Sequence, residues 1–347
     1  MKHHLNTLFV QTQGAYLRKD GQAVAVRLEQ KTALRVPLHQ LDGIATFGRV
    51  SASPFLLGAC AQAGVSVSMF SRHGRFLAAV NGFSPGNVLL RREQYRRADD
   101  LTASLEIARP IVAAKIANLR TVLLRGSRDH APPPPGRRPA DAPATIAARM
   151  ADDARLAMHA TDLDQLRGIE GESSASYFRA FNHLITADTD AFRFHQRSRR
   201  PPLDPINALL SFLYTLLAHD YRSACEACGL DAAVGFLHRD RPGRPSLALD
   251  LMEALRPVLA DRLALSLINR QQVKPAGFTT SDTGGVVMNE TTRKTVLTAY
   301  QKRKQDELAH PFLEEKMPLG LVPHIQARLL ARYLRGDHDL YPEFIWR

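Results

Sequence analysis

Apolar and polar residues follow two different periods along this chain, and the change falls near residue 85. Before it, short runs bounded by turn residues predict strands. LNTLFVQT reads as a short apolar strand, and GAYLRKDGQAVAVRLEQ carries Asp20-Gly21 between two strand-like runs, a dipeptide that favours a two-residue hairpin turn. In KTALRVPLHQL, Leu34, Val36 and Leu38 fall on one face, the pattern of a half-buried strand. A helix from about Ser53 to Ala63 follows and stops at Gly64. VSVSMFSRHGRFLAAVNG then predicts another hairpin around His73-Gly74. Strands at this spacing, with one helix, predict a small sandwich or curled antiparallel sheet.

From about Asn87 the apolar spacing becomes that of long helices. VLLRREQYRRADDLTASLEIARPIVAAKIANLRTVLLR opens the series, and further helical patterns cover 144–160, 163–187, 203–228, 246–270, 290–306 and 320–336. Between the first two lies GSRDHAPPPPGRRPADAP, residues 126–143. Its consecutive prolines favour extended geometry and cannot continue a helix, so an exposed loop is expected there. The helical texture is the same on both sides, so the loop is not a domain boundary. The pattern thus gives a β-rich domain over 1–85 and an α-helical domain over 86–347, with no internal repeat.

Charge adds a partner class. The 46 Lys+Arg against 34 Asp+Glu leave a net +12, which points to a polyanion, nucleic acid before membrane. A genome rich in arginine codons explains the same excess without any partner. Of three cysteines, Cys225 and Cys228 form one CEAC pair with no second pair at zinc-ribbon spacing. They fall late in an apolar helical run, where packed thiols are the expectation. MKHHLNTLFV lacks the apolar core and cleavage site of a signal peptide, and no apolar run approaches the roughly 20 residues of a membrane span. A cytoplasmic protein with no membrane partner is expected.

Acid and imidazole groups gather in three places. In LRGIEGESSASYF, Glu170 stands between Gly168 and Gly171 at what reads as a helix start, with Tyr177 two turns along the same face and Glu172 as a rival carboxylate. The glycines leave clearance for a metal, a DNA backbone or a neighbouring helix. In GFLHRDRPGRPSLALDLMEALRP, His238 lies in a turn-rich segment ahead of a helix on which Asp250 and Glu253 share a face. Ligands of this type suit Mg²⁺ or Mn²⁺, and Arg239, Arg241 and Arg244 interleave with them, as phosphodiester chemistry requires. A solvated acid pair and a turn-capping histidine account for the same residues. The third place, His219-Asp220, reads as a helix C-terminal turn, and GDHD near 336–339 as a solvated loop.

Taken together, these runs resemble a known family. LRGIEGESSASYF is similar to the glutamate helix of the CRISPR-associated adaptation endonucleases, the universal Cas integrases of spacer acquisition. GLDAAVGFLHRDRPGRPSLALDLMEALRP resembles that family's histidine loop and acidic helix, in wording closest to the type I-C branch. RRPPLDPINALLSFLYTLL, LALSLINRQQVKP and YPEFIWR match in the same order. The resemblance implies an α+β fold: a small N-terminal β-sandwich-like domain that dimerises, then a larger all-α domain carrying the metal site. It implies Glu170, His238 and Glu253 as catalytic ligands of Mg²⁺ or Mn²⁺, with Asp250 assisting. It further implies strand transfer by a DNA 3′-hydroxyl onto a phosphodiester at the edge of a repeat. The partners it implies are double-stranded and branched DNA, a second copy of the chain and a small ferredoxin-like Cas protein. Arg239, Arg241, Arg244, Arg270, Lys274 and Tyr177 are the expected DNA contacts. A general repair nuclease and a catalytically silent branched-DNA scaffold are the alternatives.

Overall fold

The computed structural model describes residues 7–346 apart from 30, 42, 73–75, 81, 83–87, 130–141, 188–189 and 283. It divides into two compact units, Met1–Pro85 with Leu297–Gln305, and Gly86–Val296 with Asp306–Arg347. The first unit thus takes in a stretch of helix from far along the chain, which the periodicity had placed with the second.

In the first unit, β1 (Thr7–Val10), β5 (Gly43–Phe47), β7 (Ser66–Phe70) and β8 (Phe76–Val80) form one sheet in the order β1-β5-β7-β8. The other sheet runs β4 (Lys31–Pro37), β3 (Ala23–Leu28), β2 (Tyr16–Asp20), β6 (Ser51–Ala52). Leu17 and Val24 from one sheet share a core with Ile44 and Val67 from the other and with Leu56 and Cys60 of α1 (Pro54–Ala63). The sandwich-like character is therefore present, but an all-antiparallel sheet is not: β1·β5, β5·β7 and β2·β6 are parallel. A parallel pair needs a crossover, and α1 supplies it between β5 and β7. Ser53 Oγ accepts from Leu56 N at the start of α1, and Gly64, at φ +72°, closes its end.

The first hairpin forms one residue later than its Asp-Gly signal suggests. Asp20 pairs with Ala23, leaving Gly21 and Gln22 as the loop. β4 is not half-buried, because it is an edge strand exposed from Lys31 to Arg35, Leu34 included; Leu38 is buried in the turn beyond it. The tip of the second hairpin, at His73-Gly74, lies outside the described residues, between antiparallel β7 and β8.

The second unit carries α2 (Val88–Asp99), α3 (Leu101–Asp129), α4 (Pro143–Met158), α5 (Leu163–Ala180), α6 (Pro205–Ala227), α7 (Ser246–Arg256), α8 (Arg262–Asn269) and α10 (Val322–Leu334). It also holds the first part of α9 (Glu290–Lys304). Two short hairpins, Phe278–Thr280 with Val286–Met288 and Glu307–Ala309 with Lys316–Pro318, make the unit mostly rather than wholly helical. α3 runs on to Asp129, so the expected loop over 126–143 starts later; residues 130–141 lie outside the described ones. Ile107, Ile111, Ile116 and Leu123 are fully buried, which makes α3 the spine against which α4, α5 and α7 pack. The single helix expected over 246–270 is interrupted by a π-helical turn at Pro257–Asp261. Pro257 has no N–H to donate, so the ladder must loosen there. His219 and Asp220 lie inside α6 rather than at its end, and burial pushes His219 down to about 4. Cys225 and Cys228 are free thiols, with burial pushing both up. No helix among the described residues is long and apolar enough to cross a membrane.

Residues 341–346 of the closing segment are strapped to α3. Asn118 donates to Phe344 O at 3.0 Å and accepts from Trp346 N at 2.7 Å, while the guanidinium groups of Arg125 and Arg262 stack on the Trp346 ring, at 3.7 and 4.5 Å from its centre. Burial pushes the carboxyl of Glu343 up to about 7, against the opposing hydrogen bonds from Phe344 N, Tyr341 and Gln326. Such a group keeps a proton that the unfolded chain releases. Its contribution is full below the unfolded value and is lost as pH rises through about 7. Glu343→Gln is expected to flatten the fall in stability between about pH 5 and pH 8, read by denaturant unfolding at each pH. An unchanged slope would show that Glu343 titrates as if it were in water.

Candidate active site

Asp162 caps α5 by accepting from Asp164 N and Gln165 N, so the helix begins at Leu163. Glu170 therefore lies well inside the helix, not at its start, and Gly168 and Gly171 are interior glycines that each cost about 1 kcal/mol against alanine. A Cβ added at either would meet nothing within 4 Å. Clearance for a neighbouring helix is thus excluded as their purpose, and the face they share is open. Glu172 turns outward beside Arg179, while Glu170 turns inward.

Glu170 meets a cation there. Its Oε1 contacts the ammonium of Lys115 on α3 and accepts from Ser174 Oγ at 3.0 Å. The same ammonium lies 2.7 Å from Glu253 Oε2 on α7, and Arg256 Nη2 approaches that oxygen to 2.5 Å. The side chain of Lys115 is 2% exposed and that of Glu253 5%. Burial alone would push Glu253 up; Arg256 and Lys115 outweigh it and hold the carboxyl at about 2. Burial likewise works against ionised Glu170, and Lys115 again prevails, so its pKa is lowered. Both carboxylates are ionised at neutral pH because two cations are buried with them. Arg256 is held in turn by the ring of Tyr214, 4.8 Å away, whose hydroxyl donates to Asp261 in the π turn at 2.5 Å.

Asp250 builds the histidine loop. Its Oδ2 accepts from Phe236 N at 2.6 Å and Leu237 N at 3.0 Å; its Oδ1 accepts from His238 N at 3.0 Å and His238 Nδ1 at 2.5 Å. A carboxylate offers about four lone-pair sites, so Asp250 is saturated. It holds the loop and the imidazole instead of serving as a further metal ligand. With Nδ1–H given to Asp250, Nε2 keeps its lone pair, the tautomer that ligating histidines use. Gly235 makes the approach possible: a Cβ there would stand 2.5 Å from Asp250 Oδ2.

Two carboxylates and an imidazole suit a hard divalent cation in donor type. As folded, however, the cation between Glu170 and Glu253 is Lys115, and among the described residues no three His, Cys, Asp or Glu side chains are gathered closely enough to hold a metal ion. The donors fit Mg²⁺ or Mn²⁺; the seat is in use.

Tyr177 is not a DNA contact. It is fully buried, edge-on to Phe178 and Phe181, because the face two turns from Glu170 points into the core. Arg239 is exposed and bridges to Asp164 at 2.9 Å. Arg241 and Arg244 line a cavity of about 450 Å³ together with Arg222 and Asp240, and Arg270 and Lys274 are exposed. Lys115, Arg256 and Gly235 were missed from sequence. A lone lysine in the apolar run IVAAKIANL, and an arginine three residues after Glu253, were the available signals.

Asp250→Ala is expected to cost about 3 kcal/mol in urea unfolding, since it strands buried N–H groups of Phe236 and Leu237 and frees His238. A loss well under about 1 kcal/mol would mean that the loop is held by something else.

Similarity to known proteins places the chain in a family. The model of the family described as CRISPR associated protein Cas1 matches residues 8–302. A CRISPR-associated endonuclease Cas1 of Chlorobaculum tepidum is 54% identical over 347 residues, covering the whole of both chains. A second, from Rhodospirillum rubrum, is 52% identical and also covers both completely. In fold, the chain is similar to a casposase bound to integration product, with a TM-score of 0.83 at 21% identity over 98% of this chain and 94% of that one. With a family model spanning most of its length and relatives above half identity along all of it, the chain belongs to the Cas1 family of CRISPR-associated proteins.

Proposed function

We propose that this chain is a metal-dependent DNA endonuclease and integrase of CRISPR adaptation, inserting short DNA fragments into a repeat array. The observation that carries the reading is the pair Glu170 and Glu253 drawn onto one cation, with Asp250, one turn before Glu253 on the same helix, holding the His238 imidazole. In the reaction a 3′-hydroxyl forms a bond to phosphorus as the target strand's P–O bond breaks, so one proton leaves the attacking oxygen and the departing oxygen gains one. Mg²⁺ or Mn²⁺, held by Glu170, His238 and Glu253, would supply charge neutralisation at the phosphate and a more acidic attacking hydroxyl. The chain's own part is to keep both carboxylates ionised, Glu170 through Lys115 and Glu253 through Arg256 and Lys115, and to hold the imidazole in one tautomer, through Asp250. Arg239, Arg241, Arg244, Arg270 and Lys274 lie on the surface or a cavity wall, where they can meet backbone phosphates. The β unit would join two copies of the chain, and a small ferredoxin-like Cas protein would complete the assembly in the cytoplasm.

Single alanine substitutions at Glu170, His238 and Glu253 are each expected to lower strand transfer into a repeat-bearing plasmid by at least about a hundredfold, with DNA binding kept. Strand transfer in Mn²⁺ that survives all of them would sink the site. Cleavage without any integration, even with the Cas partner present, would favour a general repair nuclease.

The logarithm of the DNA-binding constant is expected to fall with that of salt concentration by about 0.9 for each phosphate contact. A flat dependence would mean that the net +12 is not a DNA track.

A further inference from the structure

The ammonium of Lys115 is buried where solvent has no need of it. Its side chain is 2% exposed, on a helix face shared with Ile111, Val112, Asn118 and Leu119, all buried. It touches Glu170 on α5 and lies 2.7 Å from Glu253 on α7, so a single positive centre draws together two carboxylates from different helices. Without it, the buried carboxylate of Glu253 and the partly buried one of Glu170 would face each other with only Arg256 to offset them, and Arg256 reaches Glu253 alone at hydrogen-bond distance.

A divalent ion asks for the same oxygens. Mg²⁺ sits about 2.1 Å from each ligand oxygen, closer than the roughly 2.8 Å of an ammonium, so the two cations cannot share the space between the same pair. Their mutual repulsion in a water-poor site adds to the steric conflict. We propose that Lys115 Nζ is a resident counter-cation in the seat between Glu170 and Glu253, and that a divalent metal enters by displacing it. Metal loading is then an exchange of cations. The lysine keeps the acid pair from flying apart while no metal is present, and it lowers the apparent metal affinity by the free energy of its own two ion pairs. Ser174 already donates to Glu170 Oε1 and can keep that hydrogen bond as the exchange proceeds.

This inference rests on the metal-site reading above, and the test separates the two. Mn²⁺ is titrated into the full chain, and the free ion is counted by its paramagnetic resonance signal. Thermal unfolding is recorded with and without Mn²⁺. Wild type is compared with Lys115→Met, Lys115→Gln and Glu253→Gln. Exchange predicts that Lys115→Met binds Mn²⁺ at least about tenfold more tightly than wild type, since one decade is a small part of what a buried ion pair is worth. It also predicts that metal-free Lys115→Met unfolds at a lower temperature than wild type and recovers more on adding Mn²⁺. Should that variant not fold without metal, Lys115→Gln keeps a hydrogen-bond donor for the carboxylates and is expected to show the same tightening. Unchanged or weaker Mn²⁺ affinity in a folded Lys115 variant overturns the exchange while leaving the metal site standing, provided Glu253→Gln abolishes binding in wild type. Saturable Mn²⁺ binding that Glu253→Gln does not remove, or none in any variant, overturns both.

Discussion

Two carboxylates drawn together where water is scarce repel each other and lose hydration, so they persist only with cations buried among them. Glu170 and Glu253 meet that condition through Lys115 and Arg256, and much of the second unit's layout follows. Three helices must converge for the contacts to exist: α3 brings the ammonium, α5 and α7 one carboxylate each. Arg256 must also be kept in place, which Tyr214 of α6 does with its ring while its hydroxyl rests on Asp261. Asp261 is presented by the π turn that Pro257 enforces, so a proline that looks like a flaw in a helix sets the last link of the charge chain.

Backbone groups around the site are treated with the same economy. Asp250 holds three consecutive N–H groups and one imidazole, which fixes the His238 loop to the helix that carries Glu253. Asn118, one turn along α3 from Lys115, donates to Ala254 O at 2.6 Å and ties the closing segment to the same place. Each polar side chain joins two elements at once. Side chains locked in this way suit an active centre, where a reacting group out of position by an ångström loses most of its effect. The loss of one member is correspondingly costly, because it strands a partner that water cannot reach.

Much of the fold was legible in local pattern. The change from alternation to helical period near residue 85, the cap pair Ser53 and Gly64, and most helix spans follow from rules that act over a few residues. The departures have physical causes. β1, β5 and β7 run parallel because a crossover intervenes, and strand direction leaves no mark on alternation. Leu34 is exposed on an edge strand although its spacing is that of a buried face. Tyr177 shares the face of Glu170 as its spacing requires, but which way that face points is not a local property.

The sequence alone determined most element types and the family's motifs in order, and it was the resemblance in those motifs that singled out Glu170, His238, Asp250 and Glu253. Helix period, turn residues and motif wording all act over a few neighbouring residues. Only the tertiary structure decided that Asp250 is spent on the loop, that Arg256 keeps Glu253 ionised, and that Lys115 stands between the two glutamates. These are meetings of residues far apart in the chain, made specific by burial. A charge excluded from water must find a partner wherever the packing brings one, and no local period encodes where that will be.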